Sequence, residues 1–279
     1  MSLKNALYIV SIPIGNPDDI TLRAIKVLTE VDILVCEEYR NGSRLMKQLG
    51  IKNKNIITTN EHNESKQIET LLIELAMGKS LALVSDCGTP LFSDPGHRLV
   101  EEVISAGFQI IPVPGVSSLA AAISVTPQKL TRYVFGGFMP RSPQDRINEL
   151  KKLKMMRMPI ILMDTPYRMT NLLEDVKKVF GKGQRVTLCC DMTLPGEMIM
   201  TASVEEVLKK VNGKKIEDCT KYGTDSGMLC CWVAGNKEDI NGKCTLFSQK
   251  TAEEFHSFID ILQLGHSFLN SNHFSKHSV

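Results

Sequence analysis

The stretch LVSDCGTPLFSDPGHRLVEEV, residues 83–103, decides the fold. An apolar run, SLALVS (80–85), reads as a strand, and HRLVEEV reads as the start of a helix. Between them one connection holds Asp86, Gly88, Pro90, Asp94, Pro95 and Gly96. Ser93 or Asp94 suits the cap of that helix, and Pro95 suits its first turn, where a missing N–H costs nothing. The unit is therefore strand, turn, helix. The crowding of special residues leaves two readings, an awkward turn or a backbone shaped around a ligand.

The same alternation extends on both sides. ALYIVSI (6–12), DILVCEE (32–38), NIITTN (55–60) and FQIIPVPG (108–115) read as strands. Helices are predicted at TLRAIKVLTEV (21–31), capped by Thr21, with Leu22, Ile25, Val27 and Leu28 on its apolar side, and at SRLMKQLG (43–50), closed by Gly50. Further helices are predicted at 64–78 and 116–126. Strands alternating with helices imply an α/β fold with a largely parallel sheet to about residue 125. TPQKLTRYVFGGFMPRSPQDR (126–146), with three prolines and a Gly-Gly pair, reads as the connection to a second α/β domain. That domain would use a charged helix (146–156), strand PIILMD, helix YRMTNLLEDVKKVFG, and strands RVTLCCDM and MLCCWVAG around helix SVEEVLKKV. The expected division is 1–126, 127–250 and a tail, 251–279, part helical and part disordered.

Composition narrows the function classes. The 33 basic and 31 acidic side chains leave a net charge of +2, so any RNA-binding surface has to be local. Apolar runs such as ALYIVSIPI fall short of the roughly 20 residues a membrane span needs. The first apolar run reads as a strand, not a signal peptide. The eight cysteines form no CxxC and no zinc-type spacing, so reduced, buried thiols in a cytoplasmic protein and no metal are expected.

Three turns, PIGNPDD (13–19), SDCGTPLFSDPG (85–96) and PVPGVSS (112–118), each follow a predicted strand. In a parallel sheet all three emerge at the strands' carboxyl ends, where open α/β sheets bind ligands. Gly, Pro and Asp are also ordinary turn residues, but three such turns on one edge favour a ligand. Neither G-x-G-x-x-G nor G-x-x-x-x-G-K-[ST] is present, so the usual phosphate cradles are missing. An adenine-bearing ligand without phosphate, such as S-adenosylmethionine, fits that better.

The ordered motifs LYIVSIPIGNPDDITLRAIKVL, LVSDCGTPLFSDPGHRLV, IIPVPGVSSLAAAIS, YVFGGFMPR and DTPYRM resemble the small-subunit ribosomal RNA 2′-O-ribose methyltransferase I family. That family lies within the tetrapyrrole-methylase-like group of S-adenosylmethionine enzymes. The resemblance extends to about Gly235. It implies two α/β domains with the cofactor in the cleft between them, a homodimer, and methyl transfer to a cytidine ribose in small ribosomal subunit RNA. Carried over by position, it implies cofactor contacts at Pro13, Ile14, Gly15, Asp86, Cys87, Gly88, Thr89, Ser93, Asp94, Ser117, Met163 and Met192. Cys87 replaces a usual alanine. Where the family reads Arg-Glu-Leu-Thr-Lys, this chain has Cys190-Asp191-Met192-Thr193-Leu194, so both cations are gone while Glu197 remains downstream.

A ribose hydroxyl is a poor nucleophile, and a carboxylate is a suitable proton acceptor. Asp191 and Glu197 are the candidates for that role. Arg141, Arg146 and Arg168 are the candidate RNA contacts; the run 140–157 also reads as the solvated face of an amphipathic helix. Two alternatives stay open: a methyltransferase of small metabolites such as tetrapyrroles, and a non-catalytic protein binding cofactor or RNA.

Overall fold

The computed structural model describes residues 3–60, 63–92, 96–213 and 230–234. The first sheet is wholly parallel, with strands β1 (Ala6–Val10), β2 (Ile33–Cys36), β3 (Asn55–Thr58), β4 (Leu81–Leu83) and β5 (Gln109–Val113) in the order β3-β2-β4-β1-β5. Burial on both faces explains why β2 and β4 are apolar at every position. Ala6, Tyr8, Val10 and Leu34 feed one core, and Leu7, Ile33, Val35 and Leu81 feed the other.

Helices α1 (Leu22–Glu30), α2 (Tyr39–Gln48), α3 (Glu64–Ala76), α4 (His97–Ser105) and α5 (Ser118–Ser124) follow these strands in turn. Thr21 caps α1 as expected, its side chain accepting from the Ala24 amide at 3.0 Å. The apolar face of α1 differs from the prediction. Ala24, Val27 and Leu28 are buried, whereas Leu22 is 86% exposed. The cap of α4 also differs: Gly96, at φ 116°, holds that position, and the expected caps Ser93 and Asp94 lie outside the described residues.

The change of sheet falls between α5 and β6, near the boundary expected at 126/127. Strands β6 (Val134–Phe138), β7 (Ile160–Asp164), β8 (Arg185–Cys190), β9 (Met198–Ser203) and β10 (Cys230–Ala234) form a mixed sheet in the order β6-β7-β10-β8-β9. Helices α6 (Pro143–Met155), α7 (Pro166–Phe180) and α8 (Val204–Gly213) accompany it. Two of these strands were not predicted. β6 contains the Gly-Gly pair that suggested a loop, and β9 follows the turn after β8. Gly136 is required by packing, because a Cβ there would lie 2.6 Å from Leu162 Cδ2, and Gly137, at φ 62°, marks a bulge against β7. Ser203 and Glu206 form a reciprocal capping box that starts α8.

Ile160, Leu162, Val186 and Leu188 form one core with residues of α6, α7 and α8. Met163, Cys189 and Met192 cluster with Ala121, Ala122 and Ile14 of the first half. Both sheets belong to one compact unit, Met1–Gly235. The expected tail, 251–279, lies outside the described residues. Among the described residues no helix is long and apolar enough to cross a membrane.

Candidate active site

Strand order places a switch point between β1 and β4. From β1 the chain moves to β2 on one side, and from β4 it crosses to β5 on the other. The three turns singled out in the sequence meet at this edge. Ile12 donates its amide to the Gly88 carbonyl at 2.9 Å, and Ser11 donates its amide to Val113 at 3.1 Å. The Thr89 hydroxyl donates to the Val116 carbonyl at 2.9 Å and lies 3.0 Å from the Ser11 hydroxyl. Because Thr89 spends its proton on Val116, Ser11 is the donor in that pair. One relay thus ties together the loops after β1, β4 and β5. The glycines follow from close approach: Gly88 sits at φ 72°, and a Cβ on Gly115 would come 2.9 Å from Ser11 Cβ.

Above these loops lies a cavity of about 550 Å³, within the range of small-molecule sites. Pro13, Ile14 and Gly15 line it from the first loop, Asp86, Cys87, Gly88 and Thr89 from the second, and Ser117 from the third. Met163, Asp191 and Met192 line it from the second sheet. Except for Ser93 and Asp94, every position expected to contact the cofactor therefore meets in one cavity. Asp86 Oδ1 is buried there and has no hydrogen-bond partner among the described residues. A buried acceptor without a donor costs about 1–3 kcal/mol, so this one is suited to a ligand donor.

The sequence reading missed one wall. Asn41, Gly42 and Arg44 of α2 line the cavity. α2 starts at Tyr39, four residues before the predicted start, so Gly42 falls inside the helix, where glycine costs about 1 kcal/mol relative to alanine and is kept only where packing demands it. Packing does demand it: a Cβ on Gly42 would meet Cys36 Sγ at 2.6 Å. Burial pushes the Cys36 thiol up to about 11, with the nearby Asp86 charge adding to the rise and the Gly42 amide opposing it. Cys36 is therefore a neutral, buried thiol.

Residues 191–194 close the cavity against the first loop. Thr193 Oγ1 accepts from the Asn16 amide at 3.0 Å. Asp191 and Thr193 have φ values of 51° and 68°. For a β-branched threonine that is a strained conformation, at about 1–3 kcal/mol. Hydrogen bonds hold it in place, with Thr193 N–H donating to Glu197 Oε2 at 2.8 Å and Leu194 N–H to the Asp191 carbonyl at 2.9 Å. Of the two candidate proton acceptors only Asp191 lines the cavity. Glu197 is exposed and its carboxylate organises the turn instead.

A family model of tetrapyrrole (corrin/porphyrin) methylases matches residues 6–208. The ribosomal RNA small subunit methyltransferase I of Escherichia coli O157:H7 is 38% identical over 205 residues, 74% of this chain and 71% of its own. Its namesake from Thermotoga maritima is 37% identical over 209 residues, 75% of this chain and 93% of its own. The chain belongs to the methyltransferase I family. Among solved structures, a cobalt precorrin-4 methyltransferase of cobalamin biosynthesis shares the fold, with a TM-score of 0.59, 18% identity, and coverage of 83% of this chain and 95% of that one. The tetrapyrrole methylase fold expected from the sequence is therefore the fold observed. The chain is a methyltransferase, and the non-catalytic alternative falls.

Within this methyltransferase I chain, one of the three expected RNA contacts, Arg146, is buried, and a second, Arg168, is engaged with the protein. Arg146 is 5% exposed and pairs with Asp175, its Nε and Nη2 lying 2.8 and 2.6 Å from Oδ2. Its Nη1 also donates to the carbonyls of Pro140 and Arg141. Arg168 pairs with Asp164 at 3.2 Å and donates to the carbonyls of Met139 and Pro140. Both arginines fasten the turn between β6 and α6; Arg146 is buried away from RNA phosphates, whereas Arg168 remains half-buried. Arg141 is exposed at that turn. Burial raises the Asp164 carboxyl above the ordinary range, against the lowering effects of the Thr165 amide and of Arg168 and Arg146. Among the described residues no cluster of His, Cys, Asp or Glu is placed to hold a metal ion.

Proposed function

We propose that this protein transfers a methyl group from S-adenosylmethionine to the 2′-hydroxyl of a cytidine ribose in small-subunit ribosomal RNA. The observation that carries the proposal is the convergence of three β-strand loops and residues 191–194 on one cavity, in a chain of the methyltransferase I family. The cavity suits the cofactor chemically. Ile12, Ile14 and Met192 offer apolar walls for an adenine ring, and the buried, unpartnered Asp86 Oδ1 is an acceptor for a ligand hydroxyl or ammonium group. Residues 13–15, 86–89 and Ser117 would hold the cofactor from one side, and Met163 and Met192 from the other. Bound there, S-adenosylmethionine supplies an electrophilic methyl group.

Positioning supplies much of the rate in such an in-line displacement, because the reacting groups are held at contact distance and solvent reorganisation is avoided. We assign Asp191 the role of accepting the ribose hydroxyl proton at a carboxylate oxygen, and Glu197 that of holding the loop that presents Asp191. The protein is proposed to act in the cytoplasm as a homodimer, which sedimentation of the purified chain tests directly. Nucleoside mass spectrometry of ribosomal RNA from cells with and without the gene tests the substrate. A 2′-O-methylcytidine should be missing without the gene, and an unchanged level refutes the proposal.

A second reading, methylation of a small metabolite, is favoured by one observation: the family's two cations at 190 and 194 are Cys190 and Leu194 here. Turnover of a tetrapyrrole without any response to ribosomal subunits would establish it.

A further inference from the structure

Aromatic residues make up only 6% of the chain, yet Phe92 at the cavity and Phe138 and Tyr167 near the turn between β6 and α6 all expose their rings. Phe92 lines the cavity and is 38% exposed, its ring tilted 44° against Phe135 of β6 with centroids 4.6 Å apart. Phe138, at the carboxyl end of β6, is 40% exposed. It stands in register with Met163, which lines the cavity from β7, and paired positions of a parallel sheet share a face. Tyr167, in the first turn of α7, is 80% exposed. Arg168, the next residue, bonds the carbonyls of Met139 and Pro140, which follow Phe138 in the chain. The same tether therefore brings Tyr167 to the turn that carries exposed Arg141. From Arg141 to Arg157 the chain holds six basic residues against two acidic ones, and of the six only Arg146 is buried.

We infer that Phe92, Phe138 and Tyr167 form a stacking platform for the unpaired bases next to the methylated nucleotide, with Arg141 meeting the RNA backbone. The inference rests on the proposed RNA substrate. Three observations select single-stranded RNA as the occupant: exposed ring faces, the place of Phe92 in the cavity wall with Phe138 in register with cavity-lining Met163, and a surplus of exposed cations. Duplex RNA would hide the bases that such rings recognise, whereas unpaired bases stack on aromatic side chains. The structure also explains why the turn is rigid enough for this role. Arg146 and Arg168 satisfy its carbonyls from inside, so Arg141 is presented outward on a fixed frame.

The test is binding of a short single-stranded RNA with a central cytidine, followed by fluorescence anisotropy, with calorimetric titration of S-adenosylmethionine on the same proteins. Phe138→Ala and Tyr167→Ala should each weaken RNA binding about tenfold, from the usual contribution of one base–aromatic stack. Phe138→Trp and Tyr167→Trp should restore it, and cofactor affinity should be unchanged in all four. Arg141→Ala should lower the salt dependence of RNA binding by about one unit of slope. Equal RNA binding by wild type and both alanine variants overturns the platform, as does a change of oligomeric state in those variants. If wild type binds S-adenosylmethionine but no RNA at any salt concentration, the substrate proposal fails along with the platform.

Discussion

Gly15 gives the sharpest test of how the cavity is closed. A Cβ placed there would lie 2.7 Å from Thr193 Oγ1, 2.8 Å from Leu194 Cγ and 3.0 Å from the Met192 carbonyl oxygen. None of these atoms can yield easily. Thr193 Oγ1 is held by the Asn16 amide, its backbone sits at φ 68°, and the Met192 oxygen belongs to the main chain. Gly15→Ala must therefore push residues 191–194 away from the first loop. Overpacking of this kind costs about 1–3 kcal/mol, or a fall in Tm of about 2–12 °C for a unit of this size.

Gly50→Ala is the matched control. Its Cβ meets nothing within 4 Å, but at φ 69° the left-handed backbone disfavours alanine by about 1–2 kcal/mol. Thermal melting should thus place the two variants close together. Calorimetric titration with S-adenosylmethionine should separate them: about tenfold or greater weakening in Gly15→Ala, because misplacing binding groups by an ångström can cost a hundredfold, and wild-type affinity in Gly50→Ala. Wild-type affinity in Gly15→Ala, or equal weakening in both, refutes closure of the cavity by this contact.

Asp86→Asn removes the charge while keeping the shape of a side chain that holds an unpartnered buried oxygen. The ligand-free variant should melt no lower than wild type, and its cofactor affinity should fall about tenfold, since hydrogen bonds to charged groups are worth about 1.5–3 kcal/mol; a variant that binds the cofactor normally removes Asp86 from the site. Burial raises the Asp175 carboxyl, but its hydrogen bonds to Lys178 and Arg146, together with their charges, outweigh burial and hold it below the ordinary range. Its contribution is therefore complete above the unfolded value of about 3.9 and lost as pH falls through the folded one. Asp175→Asn should be clearly less stable than wild type at pH 7 and converge on it in acid, read by urea unfolding midpoints. Arg146→Ala, which leaves the carboxylate to Lys178 alone, should cost about 3–5 kcal/mol at pH 7. Alkylation read by mass spectrometry should label half-buried Cys87 in the native protein and slow when S-adenosylmethionine is added, whereas Cys36, whose thiol burial pushes up to about 11, should label only on unfolding.

What the sequence made legible was what local chemistry controls. The turns at 13–19, 85–96 and 112–118 announce themselves by Gly, Pro and Asp, and strand alternation then puts them on one edge. Thr21 and Gly50 mark helix ends for equally local reasons. The parts that escaped depend on partners distant in the chain. Arg146 reads as a solvated cation until Asp175, 29 residues later, receives it inside the second core. Gly136 and Gly137 read as loop because the reason for them is Leu162 on the neighbouring strand and a bulge in β6. Leu22 reads as core on a helical wheel and is exposed, because α1 presents Ala24 and Leu28 to the sheet instead. The α2 wall escaped because its glycine answers to a single sulfur atom, Cys36 Sγ.

The altered tract at 190–194 sharpens the question of substrate. In the sequence it is the loss of two cations. In the fold, Cys190 is buried in the core of the second sheet, Met192 and Leu194 line the cavity, and Thr193 bonds the first loop. Of the two positions that lost a cation, only 194 lines the cavity; 190 points into the core of the second sheet. The apolar Leu194 makes the inner wall drier and strengthens each remaining polar contact in it, notably that of Asp191. Arg44 is then the cation left in the cavity wall among the described residues, and further charge for the RNA backbone comes from Arg141 and the exposed lysines of α6. A protein built this way should bind its cofactor with little dependence on salt and its RNA with a strong one, the slope counting the phosphates its surface cations meet. Equal salt dependence for the two ligands would show that the charges lost from 190–194 had been replaced inside the cavity after all.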